Sequence, residues 1–149
     1  MTRKTQPSAL SLSVQYAAKP EEAPTRAQFR RWVKAALRQD AEIALRIVDE
    51  EEGRALNRDY RGKDYATNVL TFVYDDEFPG AELPLAGDIV LCAPVVAREA
   101  LQQEKPVEAH YAHLTVHGVL HLQGYDHESD EDARQMEALE IQIVTKLGY

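Results

Sequence analysis

Four segments of the chain have the hydrophobic pattern of short β-strands. Residues 10–16 alternate apolar and polar side chains, as expected for a strand with one buried face. Residues 42–49, 68–74 and 87–92 are rich in β-branched and other apolar residues, which strands favour. The pattern therefore predicts a sheet of about four strands.

Five further segments carry the apolar spacing or the boundary residues of helices. The predicted helices cover residues 26–38, 50–58, 94–104, 107–123 and about 130–147, with Thr25 as a candidate N-cap of the first. The polar segment 59–65 and the acidic segment 75–85 are expected to be loops. We predict one α+β domain over residues 1–149, with a mixed sheet of about four strands packed by about five helices. Residues 1–9 are expected to be disordered.

A histidine block at the end of the long, central fourth helix carries candidate metal ligands. His117 and His121 are four residues apart, so a helix places both imidazoles on one face. Gly124 can adopt a positive φ, end the helix and let the chain bring His127 back to the other two. Three neutral imidazoles leave a fourth position for water, as in catalytic zinc sites, although nickel, copper or iron would also accept them. We predict one zinc ion at these three histidines.

Position 118 separates this block from the zinc-protease signature. The histidine spacing matches the metzincin pattern, in which a glutamate after the first histidine acts as general base. Gly118 stands there in this chain and cannot accept a proton. A metalloprotease is therefore a less favoured alternative.

Three other side chains near the block need separate interpretations. His113 lies one helical turn before the first candidate ligand and is a candidate for orienting a ligand or for transferring protons. Asp126, next to the third histidine, is a second such candidate, although it also suits an Asx-type turn. His110 is a further turn back and is expected at the surface.

Charge is distributed unevenly along the chain. The net charge of −8 would ordinarily disfavour a nucleic-acid partner. However, residues 1–63 carry 13 Lys/Arg and 9 Asp/Glu, whereas residues 64–149 carry 4 and 16. A polyanion would therefore meet the N-terminal half. The basic residues of the first helix recur at helical spacing, which also fits an ordinary solvated helix face.

Several classes of protein are disfavoured by composition. No segment approaches the roughly 20 apolar residues of a membrane-spanning helix, and the N-terminal residues lack the apolar core of a signal peptide. The single cysteine, Cys92, excludes an internal disulfide and is expected to be buried in a strand. We expect a cytoplasmic protein.

Three blocks together resemble one known family. The His-Gly-x-Leu-His-Leu-x-Gly-Tyr-Asp-His motif at 117–127 resembles the signature of the YbeY proteins, bacterial metal-dependent endoribonucleases of rRNA maturation. Residues 56–72 resemble the family's Leu-Asn-x-x-Tyr-Arg-x-Lys-Asp-x-Pro-Thr-Asp-Val-Leu-Ser-Phe stretch, and the Gly-Asp-Ile at 87–89 matches a third element. This chain departs from the pattern with Ala66 and Asn68, where the family has proline and aspartate.

The resemblance implies a zinc-dependent, single-strand-specific endoribonuclease that matures the 3′ end of small-subunit rRNA and acts in ribosome quality control. It implies His117, His121 and His127 as zinc ligands and Arg61 as a functional residue near them. An arginine fork suits a phosphate and its transition-state charge, and Lys63 is a further candidate for phosphate binding. Zinc-bound water or the RNA 2′-hydroxyl would attack.

The implied partners are single-stranded rRNA, the small ribosomal subunit, and assembly proteins that include a GTPase. Neither a membrane nor DNA is expected as a partner. One alternative of a different class remains open, namely a ribosome-assembly factor whose metal is mainly structural.

Overall fold

A computed structural model describes residues 9–20, 22–74, 84–126 and 128–149. Within these ranges the chain forms four strands and five helices. In chain order they are β1 (Leu10–Tyr16), α1 (Arg26–Ala36), β2 (Ala41–Val48), α2 (Glu50–Arg61), β3 (Val69–Val73), β4 (Leu85–Cys92), α3 (Ala93–Gln102), α4 (Val107–Leu122) and α5 (Asp130–Lys146). The predicted α+β class, with a four-stranded mixed sheet and five helices, is confirmed.

The sheet has the strand order β1-β2-β4-β3. The first three strands in this order run parallel, whereas β3 pairs antiparallel with β4 and forms one edge. Parallel neighbours need a crossover, and α1 supplies it between β1 and β2. Because β3 is an edge strand, no other described strand pairs with its outer side.

Helices cover both faces of the sheet. On β4, Ile89 and Leu91 belong to the main core beneath α1 and α4, whereas Val90 and Cys92 belong to a second cluster on the opposite face. A β-strand alternates its side chains in this way because its period is two residues. Helix α2 packs on the second face, where Gly53 lies against Cys92. The predicted burial of Cys92 is confirmed.

Gly87 allows β4, β3 and α4 to approach one another closely. A Cβ atom at this position would lie 2.7 Å from the carbonyl oxygen of Phe72 and 2.8 Å from a methyl carbon of Leu122. The first contact is with the backbone of the neighbouring strand, which cannot move aside without breaking the ladder. The glycine of the Gly-Asp-Ile element therefore has a packing role.

The end of α2 differs from the prediction. Residues 59–61 were expected in a loop because the segment is polar, but α2 continues to Arg61 and ends at Gly62, whose φ is 71°. A polar sequence is compatible with a helix whose outer face is solvated, and glycine is the residue that most readily adopts the left-handed conformation that ends it. Arg61 is therefore held on a helix.

Two smaller predictions concern the start of α1 and the N-terminal residues. Thr25 caps α1 as predicted, and its hydroxyl accepts a hydrogen bond from the backbone N–H of Gln28. Residues 1–8 and 75–83 lie outside the described residues, so disorder at the N-terminus and the acidic loop stay predictions. Ala9, which belongs to the segment expected to be disordered, instead donates a backbone hydrogen bond to Asp40.

None of the described helices is long and apolar enough to cross a bilayer.

Candidate metal and phosphate site

Helix α4 presents two of the three candidate ligands to one cleft. The imidazole rings of His117 and His121 are nearly parallel, at an interplanar angle of 3°, and their centroids are 6.4 Å apart. Both rings line a cleft of about 290 Å³. Its other lining residues are Arg61, Val69, Leu70 and Thr71. The spacing of four residues thus places both imidazoles on one helical face, as predicted.

Hydrogen bonds define the tautomer of each of these two histidines. His117 Nδ1 donates to Glu140 Oε2 at 2.7 Å, and His121 Nδ1 donates to the backbone carbonyl of Tyr125 at 3.0 Å. Because a carboxylate and a carbonyl only accept, each ring carries its proton on Nδ1, which leaves the ligand lone pair on Nε2. Gly124, with a φ of 102°, ends the helix and turns the Tyr125 carbonyl back toward His121.

Glu140 on α5 joins two histidines of α4. Its Oε1 accepts a hydrogen bond from His113 Nε2 at 2.8 Å, in addition to the bond from His117, and its side chain is 6% exposed. Burial alone would raise the pKa of this carboxyl, but the two histidine hydrogen bonds outweigh burial and lower its pKa to about 2. His113 therefore reaches the site through Glu140, in agreement with a role in orienting a ligand.

Glu140 was not identified from the sequence. The available signal is its position in α5, where the buried residues are Met136, Glu140 and Ile143. These positions follow an i, i+4, i+7 stripe, which is the apolar face of a helix. A carboxylate in such a stripe needs a buried partner, because an unpaired charge there is costly.

Arg61 enters the cleft from α2. The loop that follows this helix is held by Asn57, whose buried side chain donates to the carbonyl of Tyr65 at 2.7 Å. Arg61 thus lies in the same cleft as the two histidines, although it is 56 positions from His117 in the sequence. Lys63 is exposed and is not among the residues that line this cleft.

The turn after α4 accounts for the remaining candidates. Asp126 Oδ1 accepts a hydrogen bond from the backbone N–H of Glu128 at 3.2 Å, which is the Asx turn considered above. His127 lies outside the described residues. Among the residues that are described, no three His, Cys, Asp or Glu side chains form a group that could hold a metal ion. The third ligand therefore stays a prediction.

The prediction that His110 lies at the surface is wrong. His110 is 3% exposed, and its Nε2 donates to Glu99 Oε1 at 2.8 Å. Asn68 Nδ2 donates to the same oxygen at 2.9 Å. His110 is buried because α3 packs against α4 at this point, so a position three residues before His113 still faces the protein. The two donors share a second cavity of about 450 Å³ with His117.

Gly118 packs directly against the sheet. A Cβ atom there would lie 3.3 Å from carbons of Ile89 and 3.4 Å from Thr71 Cγ2. These distances are tighter than most real Cβ contacts, so a side chain as large as glutamate would have to displace the sheet or enter the cleft. The absence of the protease base at this position therefore coincides with close packing of α4 on the sheet.

Comparison with known proteins identifies the family. A family model described as endoribonuclease YbeY matches residues 14–148. The chain belongs to the YbeY endoribonuclease family. The YbeY endoribonuclease of Nitrosospira multiformis is 63% identical over 98% of this chain and 82% of its own length. That of Aromatoleum aromaticum is 60% identical over 98% of this chain and 94% of its own length.

A solved structure has a similar fold. The solution structure of a Thermotoga maritima protein has a TM-score of 0.60 to this chain, with 26% identity, and covers 89% of this chain and 86% of the other. The resemblance to YbeY proteins that was read from three sequence blocks is confirmed, and so is the enzyme class of endoribonuclease. The YbeY match also includes Arg61, His117 and His121, which the fold brings into one cleft.

Proposed function

We propose that this protein is a zinc-dependent, single-strand-specific endoribonuclease that matures the 3′ end of small-subunit rRNA and acts in ribosome quality control. The observation that carries the proposal is the shared cleft of Arg61, His117 and His121. It combines two metal-type imidazoles with a guanidinium, which is the residue best suited to hold a phosphate by two parallel bonds.

The proposed donor set for one zinc ion is His117, His121 and His127. The Nδ1 atoms of His117 and His121 donate to Glu140 and to the Tyr125 carbonyl, so Nε2 is the ring nitrogen that each histidine would offer to the metal. His127 is the proposed third ligand and leaves a position open for substrate or water. When bound, zinc lowers the pKa of coordinated water toward about 7 and polarises a phosphoryl oxygen.

The protein's own side chains have distinct roles in this proposal. Arg61 binds the scissile phosphate and stabilises the negative charge that develops on its oxygens in the transition state. Glu140 holds the His117 ring in one orientation. Lys63 attracts the neighbouring phosphates from outside the cleft, and His113 and Asp126 are the candidates for proton transfer.

The proposed setting is the cytoplasm, with the small ribosomal subunit and assembly proteins that include a GTPase as partners. RNA is the substrate that the name endoribonuclease implies. A metalloprotease is disfavoured, because Gly118 offers no general base. The loss of a general base typically lowers the rate of such an enzyme by orders of magnitude.

Cleavage of a labelled single-stranded RNA tests the chemistry. The zinc-loaded protein should cut it, whereas a chelator or His121→Ala should abolish cutting, and a perfect duplex should resist. Arg61→Lys keeps the charge but loses the fork, and we expect a decrease in kcat of about 100-fold. Arg58 lies on the same last turn of α2 but pairs with Asp59 and does not line the cleft, so Arg58→Lys is the matched control and should retain activity.

Mapping the 3′ end of small-subunit rRNA in cells tests the biological role. His117→Ala and Arg61→Glu should both accumulate the unprocessed precursor. Normal ends in both variants would refute the enzymatic role. If, in addition, chelation unfolds the protein, the alternative of an assembly factor with a structural metal would be correct.

A further inference from the structure

Three aromatic side chains beside the cleft form an exposed cluster, here called the aromatic platform. Its members are Tyr60 at the end of α2, Phe72 on β3 and Tyr74 just after β3. The rings of Tyr60 and Phe72 meet edge to face, with centroids 5.2 Å apart. Tyr60 is nevertheless 68% exposed and Tyr74 is 57% exposed. Large aromatic surfaces left in water in one place indicate a binding surface.

The sheet positions two of the three residues of the aromatic platform. Phe72 and Tyr74 are two residues apart and therefore point to the same face of the sheet. The backbone N–H of Tyr74 continues the ladder by donating to Ala86 at 2.9 Å, and its hydroxyl donates to Asp88. Phe72 and Tyr74 are thus held in place by the sheet, whereas Tyr60 is held by α2.

The platform and the histidine cleft meet around the edge of the sheet. Thr71 lines the cleft on the α4 face, whereas Phe72 packs with the second cluster on the opposite face. Tyr60 and Arg61 are consecutive in α2, so their side chains diverge by about 100° around the helix axis. Arg61 reaches the cleft and Tyr60 reaches Phe72. Because β3 is an edge strand, a flexible ligand can pass from one to the other.

The charges around the cleft favour a polyanion on the side of the aromatic platform. On the other side of His117, the cavity of about 450 Å³ is lined by the carboxylates Glu99, Glu137 and Glu140. Repulsion there disfavours an RNA strand. On the platform side, Arg61 and Lys63 lie within three residues of Tyr60 and can receive the phosphates.

We propose that the aromatic platform stacks an unpaired nucleobase of the RNA whose scissile phosphate lies in the histidine cleft. This inference rests on the proposed endoribonuclease function. Stacking on an aromatic ring accepts every base, because every base has a π-face, so the platform suits a strand of varied sequence. It also requires a base that is not already stacked and paired in a duplex. Tyr60 would therefore contribute to the preference for single strands.

The test combines variants that change the ring of Tyr60 with RNAs that lack a single base. Tyr60→Leu keeps an apolar side chain against Phe72 but removes the ring, and Tyr60→Phe keeps the ring. Each protein is given an intact single-stranded RNA and a series in which one nucleotide near the cut is abasic. Thermal unfolding of the variants verifies that each is folded.

We expect Tyr60→Leu to raise KM for the intact RNA about tenfold with little change in kcat, and Tyr60→Phe to behave as wild type. For one abasic position, wild type and Tyr60→Leu should have the same raised KM, because the stacking partner is already gone. The inference is overturned if Tyr60→Leu has the same KM as wild type on the intact RNA. It is also overturned if Tyr60→Leu raises KM by the same factor on every abasic RNA.

A binding measurement separates this inference from the proposed function. Fluorescence anisotropy of a labelled RNA with the zinc-free protein needs no cleavage, and Tyr60→Leu should weaken binding about tenfold there too. If wild type binds RNA through Tyr60 but cuts nothing when loaded with zinc, the nuclease chemistry fails and the stacking site stands. If wild type cuts but Tyr60→Leu binds equally well, only the stacking site fails.

Discussion

Replacing Glu140 with glutamine should weaken both the fold and the binding of zinc. The carboxylate accepts hydrogen bonds from His113 at 2.8 Å and from His117 at 2.7 Å through different oxygens. A glutamine of nearly the same shape accepts through its single carbonyl oxygen only. One histidine must therefore face an amide NH2 group, and it can keep a hydrogen bond there only by moving its ring proton to the other nitrogen.

The expected size of the effect follows from two estimates. A hydrogen bond to a charged group contributes about 1.5–3 kcal/mol, and Glu140→Gln removes one and weakens the other. Lowering of the Glu140 pKa from 4.5 to about 2 corresponds to about 3 kcal/mol. Because the folded-state pKa is lowered, this stabilisation is present above about pH 4.5 and is lost as the pH falls toward 2. We expect the free energy of unfolding to decrease by about 2–3 kcal/mol at pH 7.

Zinc affinity provides the second measurement. A carboxylate that orients a metal-binding histidine typically changes metal affinity 10- to 100-fold, so the zinc Kd should rise by about that factor in Glu140→Gln. Denaturant titration of the metal-free protein measures stability, and competition with a chelating dye measures zinc affinity.

A neighbouring glutamate supplies the control. Glu137 lies on the same helix and lines the same cavity, but it is exposed and no described hydrogen bond joins it to a histidine. Glu137→Gln makes the same change in charge and should alter neither the free energy of unfolding nor the zinc affinity. Equal effects of both variants, or a loss of stability in Glu140→Gln with unchanged zinc affinity, would refute the assigned role of Glu140.

Three further predictions concern stability. Gly87→Ala should lower the free energy of unfolding by about 3 kcal/mol, because its Cβ would lie 2.7 Å from the Phe72 carbonyl oxygen, and denaturant titration should reveal this loss. Burial raises the pKa of Tyr111 to about 12, so about 3 kcal/mol of stability should be lost between pH 10 and 12. Tyr111→Phe should flatten that alkaline profile, and an unchanged profile would contradict the assignment. Asn68→Asp restores the family's residue but places a carboxylate 2.9 Å from Glu99 Oε1, so it should lower the melting temperature at pH 7 more than at pH 4.

Much of the fold follows from local pattern. The alternation over residues 10–16 predicts β1 at its observed bounds, and Thr25 marks the start of α1. Both are visible in the sequence because the alternation of a half-buried strand and the identity of an N-cap residue are local patterns. The polar residues 59–61 fit a loop and a solvated helix equally well, so the hydrophobic pattern does not locate the end of α2, which lies at Gly62.

The candidate site was predictable only in part. His117 and His121 share a helix, so their spacing is sufficient to place them together. Arg61 was placed near them by family resemblance, since physical reasoning alone treats it as a surface arginine. The stripe of α5 indicates that Glu140 is buried, but its histidine partners and the burial of His110 depend on how α5 and α3 pack against α4.

The bridge from Glu140 to His117 has a consequence for folding. The cleft draws Arg61 from α2, two histidines from α4 and their support from α5, so its parts are separated by almost 80 positions along the sequence. Contacts between such distant positions form late, because long loops must close before they contribute. A partly folded chain should therefore lack a competent nuclease site. Recovery of RNA cleavage during refolding would then report the docking of the last helix, after most of the helical signal has already returned.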